Sequence, residues 1–273
     1  MKKRKLGGAI YILPNLVTTG NLFFGFFSIV KGLQGDFYQA AIAILLAAVF
    51  DLLDGRVARL TGATSEFGVQ YDSLCDLVSF GAAPALLMYN EGLLNAGRIG
   101  WIICFMFMAC GALRLARFNV QSAIETTGTD FVGLPIPMAA AVIACFVALS
   151  SSFEVQATSN SFWHMLGSVL GSSTVRTYFY VIFGVVLALT MVTNIPYRSF
   201  KKLDIKGIKP FKLLVAIVIF MSFIAYEPEL FGFIFFLGYA LSGPIEWLLG
   251  RTKLVDDDDI FSTSHDIMDP EEN

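Results

Sequence analysis

Residues 50–78 read FDLLDGRVARLTGATSEFGVQYDSLCDLV, placing four aspartates, Asp51, Asp54, Asp72 and Asp76, in stretches otherwise apolar enough to lie in a membrane. At 3.6 residues per turn, Asp51 and Asp54 project from one face of a helix, and Asp72 and Asp76 from one face of the next. Between them, Ser65 followed by Glu66 suits a helix start, a hydroxyl for the free amides and a carboxylate for the positive dipole end. The second of these helices is therefore predicted to begin just before Gly68. Two antiparallel neighbours joined by this turn can point all four carboxylates into one small volume. An aspartate at a helix centre costs about 2.5–3.5 kcal/mol to insert, against about 0.3–0.6 kcal/mol gained per Leu, Ile, Phe or Val. Four converging negative charges also repel one another, so positive charge is expected among them.

The rest of the chain fits that setting. Of 273 residues, 56% are hydrophobic and 15% charged, with a mean hydropathy of +0.67, outside the soluble range. Windows of about 20 apolar residues predict eight membrane-spanning helices. They fall near 15–34, 37–60, 69–90, 98–118, 134–152, 177–194, 211–226 and 229–249. Residues 7–13 read as a short interfacial helix before Pro14, and the basic start with its apolar run reads as a retained helix, since no A-x-A-like cleavage site follows. The expected fold class is all-α, a polytopic membrane helix bundle with a basic juxtamembrane segment 1–14, a membrane domain 15–250 and an acidic tail 251–273. The two last helices read as an addition to a six-helix catalytic core.

Basic residues divide unevenly between alternate connections. With the N-terminus cytoplasmic, that side collects sixteen Lys and Arg and the other only Lys31, Arg98 and Arg176, accounting for all 19. The positive-inside rule expects this of an even number of spans with both termini cytoplasmic. The lysine-rich run from Arg198 to Lys212 then faces anionic headgroups, worth on the order of 1 kcal/mol per basic residue. The four aspartates approach the same cytoplasmic end, placing the site at the inner face of the cell (inner) membrane. Cys75, Cys104, Cys110 and Cys145 lie in apolar runs without a C-x-x-C pattern, and His164 and His265 read as solvated, so zinc is not indicated. Hard divalent cations take oxygen ligands, and Mg²⁺ is held by a few carboxylates together with substrate phosphates. Structural pairing with Arg56 and Arg59 is the alternative; it accounts for two of the four acids and leaves Gly55, Ala58 and Gly68 unexplained.

Residues 51–76 follow the pattern D-x2-D-G-x2-A-R-x8-G-x3-D-x3-D. In residue type and spacing this resembles the signature of the CDP-alcohol phosphatidyltransferases. The resemblance implies a membrane enzyme that takes CDP-diacylglycerol, displaces CMP with an alcohol and uses two divalent ions, Mg²⁺ or Mn²⁺. Carried over to this sequence, Asp51, Asp54 and Asp72 would ligate one ion, and Asp51, Asp72 and Asp76 would surround the other. Gly55, Ala58, Arg59 and Gly68 would contribute to the CDP-diacylglycerol site, and Asp76 would be the catalytic base. A homodimer is also implied, and nucleic acid has no part.

PNLVTTGNLFFGF in the first helix, SLCDLVSFGAAPALL, CGALRLARFNV and TGTDFVGLPIPMAAA are similar to the phosphatidylserine synthase branch of that family, which implies L-serine as the acceptor. Arg114 and Arg117, one turn apart, could grip a carboxylate or phosphate bidentately, and Asn119 could add a polar contact; taken singly, an arginine there also marks the membrane edge. Asn15, Thr18 and Asn21 have two available partners, the aspartate site or a neighbouring helix, and spacing leaves both open. The rival readings are another acceptor (glycerol 3-phosphate, inositol or its phosphate, or choline), a cation-coupled transporter, and a non-catalytic scaffold. A transporter predicts polar residues continuing outward, yet YQAAIAILLAAVF and VSFGAAPALLMY are nearly all apolar.

Overall fold

The computed structural model describes residues 9–62, 65–123, 131–156, 172–197, 218 and 226–250. The chain is a helical bundle in which the described residues include five helices long and apolar enough to cross a membrane, Leu13–Leu33, Glu66–Ala96, Arg98–Gln121, Ser173–Val192 and Pro228–Leu248. The predicted span 211–226, the run 198–212, the segment 1–8 and the tail 251–273 lie outside the described residues, residues 218 and 226 apart.

Helix α1 (Ala9–Leu33) runs unbroken through Pro14, so residues 9–13 of the interfacial helix expected at 7–13 are instead the first turns of α1, and residues 7 and 8 lie outside the described residues. Its inward seam is Thr18, Asn21, Gly25, Ser28 and Gly32, all buried, while Leu16, Phe23, Phe26 and Leu33 are exposed. Small and polar residues inside with large apolar ones outside is the arrangement expected where lipid, not water, bathes the surface. The seam lets α1 lie close on its neighbour: a Cβ on Gly25 would stand 2.7 Å from the Cα of Ser79.

Helix α2 (Phe37–Thr61) returns antiparallel to α1 and carries Asp51 and Asp54 in its last turns. Helix α3 (Glu66–Asp76) starts as the sequence predicts, with Ser65 at the N-cap and its Oγ accepting from the Gly68 amide at 3.0 Å. Directly after Asp76 the helix widens into a π-helical stretch, Leu77–Ala82, then continues as α4 (Ala83–Met88), a second π stretch (Tyr89–Leu93) and a short 3₁₀ turn (Leu94–Ala96). Helices α5 (Arg98–Ala123), α6 (Ile136–Gln156), α7 (Ser173–Val192) and α8 (Pro228–Leu248) complete the described bundle.

The core is centred on α6. Every residue from Ala139 to Ser150 is buried, as expected of a helix apolar on all sides, and it packs against α2 and α8. Its alanines let those neighbours approach closely. At the start of α6, strand β1 (Phe131–Val132) pairs antiparallel with β2 (Pro196–Tyr197). Gly133 beside this bridge has φ +76°, and a Cβ there would stand 2.5 Å from the Met191 carbonyl oxygen. Tyr197 Oη donates to Ala240 O at 2.9 Å, tying the bridge to α8.

Candidate functional site

The turn between α2 and α3 brings the aspartates together as the spacing predicts. One carboxylate oxygen from each of Asp51, Asp72 and Asp76 lies within 4.8 Å of the other two. Asp54 stands beside them, interacting with Asp72; its Oδ2 and the Oδ1 of Asp72 are buried without a hydrogen-bond partner among the described residues. Like charges at this separation repel strongly when water is excluded. Arg56 and Arg59 are exposed, and no Lys or Arg nitrogen of the described residues forms an ion pair within 4.0 Å of these four carboxylates. The alternative of structural pairing with Arg56 and Arg59 is therefore not what the fold builds. Clustered, bare carboxylate oxygens are a hard-donor set, and they fit a divalent ion such as Mg²⁺ or Mn²⁺.

The other predicted residues divide by position. Gly55 and Ala58 follow Asp54 on α2, and a Cβ on Gly55 would meet only the Arg59 guanidinium at 3.9 Å, so the backbone there is open to a ligand. Gly68 packs on α1 instead, with a Cβ position 3.2 Å from Ser65 Oγ and 3.6 Å from Asn15 Oδ1. Arg114 is buried, stacks over Phe118 at 5.5 Å and interacts electrostatically with Asp76 and Asp51 and with Tyr239 of α8. Its guanidinium forms no ion pair with them within 4.0 Å among the described residues.

Arg117 and Asn119 are engaged elsewhere. Arg117 donates to Asn194 Oδ1 at 2.9 Å and to the Val192 carbonyl at 3.1 Å, capping the end of α7 with a cation where the helix dipole is negative. The Asn119 amide donates to Ser73 Oγ at 2.9 Å, fastening the end of α5 to the residue after Asp72.

Two α1 residues left open by the sequence belong to this end of the bundle. Thr18 is buried beside Asp54, and Asn21, fully buried, donates from Nδ2 to Asp76 Oδ1 at 2.8 Å. The signal that could have found them is the 3–4 spacing of polar and small residues from Thr18 to Gly32.

Charge at the opposite end is paired. Lys31 meets Asp36 at 3.5 Å at the α1–α2 turn, and Arg176 meets the almost fully buried Glu91 at 3.0 Å. Lys31, Arg98 and Arg176, the three basic residues separated from the rest by connection counting, thus lie away from the aspartates.

The family model described as CDP-alcohol phosphatidyltransferase matches residues 11–172. A Helicobacter pylori protein named CDP-diacylglycerol–serine O-phosphatidyltransferase is 35% identical over 247 residues, covering 90% of this chain and 95% of its own. A Methanocaldococcus jannaschii protein of the same name is 39% identical over 176 residues, 62% of this chain and 81% of its own. An archaetidylserine synthase of Methanothermobacter thermautotrophicus is 41% identical over 147 residues, 53% of this chain and 61% of its own. With the signature positions gathered at one site and a match over more than half its length, this chain belongs to the CDP-alcohol phosphatidyltransferase family.

Proposed function

We propose that this protein transfers the phosphatidyl group of CDP-diacylglycerol to the hydroxyl of L-serine, giving phosphatidylserine and CMP. The observation that carries this reading is the carboxylate cluster of Asp51, Asp72 and Asp76, without an ion pair among the described residues and with Arg114 interacting electrostatically with Asp76 and Asp51, in a chain whose relatives carry serine transfer in their names. Two divalent ions, Mg²⁺ or Mn²⁺, held by Asp51, Asp54, Asp72 and Asp76, would neutralise the pyrophosphate and stabilise charge on the leaving CMP.

The chain's own groups do the rest. Serine Oγ attacks the phosphorus bearing the diacylglycerol, its proton passes to Asp76, and the bond from that phosphorus to the CMP oxygen breaks. Arg114 supplies a planar, permanently charged partner for the serine carboxylate, placing the nucleophile beside the base. Gly55, Ala58 and Arg59 receive the liponucleotide where the α2 backbone is open, and Gly68 keeps α3 tight on α1 at the edge of that site. We assign Arg117 and Asn119, read from sequence as serine ligands, to bracing the end of α5 against α7 and α3 through Asn194 and Ser73.

In the membrane, the reading places eight spanning helices in the domain 15–250, a six-helix catalytic core plus two, with both termini cytoplasmic. The basic segment 1–14 and acidic tail 251–273 flank it, and the site opens at the cytoplasmic face of the inner membrane. A homodimer follows from the family resemblance. Purified protein supplied with CDP-diacylglycerol, Mn²⁺ or Mg²⁺ and each of serine, glycerol 3-phosphate, inositol phosphate and choline should release CMP only with serine; release with glycerol 3-phosphate and not serine overturns the acceptor.

A further inference from the structure

Asn21 lies fully buried on the inward seam of α1, and its side chain is half satisfied. Nδ2 donates to Asp76 Oδ1 at 2.8 Å, whereas Oδ1 has no hydrogen-bond partner among the described residues. A buried amide oxygen left bare is unfavourable, so the asparagine is explained by what its amide nitrogen does at Asp76 rather than by packing alone. The amide's orientation is dictated by the carboxylate, because the opposite flip would set Oδ1 against Asp76.

The surrounding contacts fix this pair rather than merely fill space. Ser79 Oγ donates to the Asn21 carbonyl at 3.0 Å, and Gly25, one turn on, approaches the Ser79 backbone so closely that a Cβ would stand 2.7 Å from its Cα. Both contacts fall in the π-helical stretch Leu77–Ala82 that begins immediately after Asp76. A π stretch changes the register of the residues before it relative to those after it. Clamping that stretch to α1 sets the angle at which Asp76 leaves the helix.

Resting on the serine-transfer reading and on Asp76 as its base, we propose that Asn21 is a positioning residue for Asp76. By occupying Oδ1, its amide leaves Oδ2 as the oxygen presented to the reacting groups and locks the carboxylate's rotation. In the transfer step the proton of serine Oγ goes to Asp76 while the new oxygen–phosphorus bond forms and the bond to CMP breaks. Asn21 makes and breaks no covalent bond; it holds the receiving oxygen in reach.

The test uses full-length Asn21→Leu and Asn21→Asp, both close to asparagine in size, with Asp76→Asn and wild type alongside. For each protein, kcat and the KM values for serine and CDP-diacylglycerol are measured with Mn²⁺, together with thermal unfolding in detergent. We expect kcat to fall on the order of 10²-fold in both Asn21 variants, with both KM values within about threefold of wild type. Asn21→Leu exchanges a bare amide oxygen for a bare Asp76 Oδ1, so its unfolding temperature should stay close to wild type; a fall in kcat with both KM values held is the readout that a merely structural role would not give. A kcat within about threefold of wild type in either folded variant overturns the inference, as does a fall matched by loss of thermal stability in both. Should Asn21→Leu fail to fold, Asn21→Asp carries the same readout. Normal turnover in Asp76→Asn removes the base assignment and this inference with it; an inactive Asp76→Asn beside a fully active Asn21→Leu removes the inference alone.

Discussion

Arg117 follows Arg114 by less than one turn of α5, yet the two guanidiniums part company: Arg114 interacts with Asp76 and Asp51, and Arg117 binds Asn194 and the Val192 carbonyl at the end of α7. The divergence assigns them different work. Arg114→Lys loses the planar fork and should raise the KM for serine at least about tenfold, leaving that for CDP-diacylglycerol nearly unchanged. Arg117→Ala should instead lower stability by about 1–3 kcal/mol by baring its two acceptors, with the serine KM little altered. Steady-state kinetics and thermal unfolding of the two variants check both halves.

Four clustered carboxylates with no ion pair among the described residues repel one another in the metal-free protein. Mn²⁺ should therefore raise the unfolding temperature, a ligand at about 100 times its Kd contributing about 2.7 kcal/mol. Asp72→Asn should blunt this response and, in EDTA, unfold no lower than wild type, because it removes a repelling charge. Coincident unfolding curves for wild type in EDTA and in Mn²⁺ would contradict the assignment.

At the far end of the bundle, the Glu91 side chain is 1% exposed and rests on Arg176 at 3.0 Å, with Ser150 donating to the same oxygen at 3.4 Å. Removing one partner of a buried pair strands the other charge. Arg176→Ala should cost about 3–5 kcal/mol while the folded fraction keeps the wild-type KM for serine. A selective rise in that KM would show that this end communicates with the site.

The close approach at Gly25 is a packing constraint that can be tested by one methyl group. Gly25→Ala places a carbon 2.7 Å from the Ser79 Cα; separating α1 from the π stretch should cost about 1–3 kcal/mol and lower kcat with it. Gly32→Ala, whose Cβ would meet only Leu87 at 3.8 Å, is the matched control and should be tolerated.

What the sequence disclosed here is what local periodicity controls. The aspartate pairs, the Ser65 cap and the apolar windows depend on residues within a turn or two of one another, and α3 starts where the cap predicts. The π stretch after Asp76 has no such local signature; it lies where Ser79 donates to the Asn21 carbonyl and meets Gly25 of α1, long-range contacts. For the same reason Arg114 and Arg117 looked equivalent until α7 supplied Asn194. Helix α8, read as an addition to the core, brings Tyr239 to Arg114, another neighbour that spacing along the chain does not reveal.

The central claim is that the carboxylates of Asp51, Asp54, Asp72 and Asp76 hold divalent cations that carry a liponucleotide's phosphates. The most direct measurement is an anomalous difference map from crystals grown with Mn²⁺ and CDP-diacylglycerol. The account predicts manganese peaks bounded by these four side chains, with the pyrophosphate bridging to them. Carboxylates turned apart, or neutralised by Arg56, Arg59 and Arg114 with no manganese between them, would contradict it.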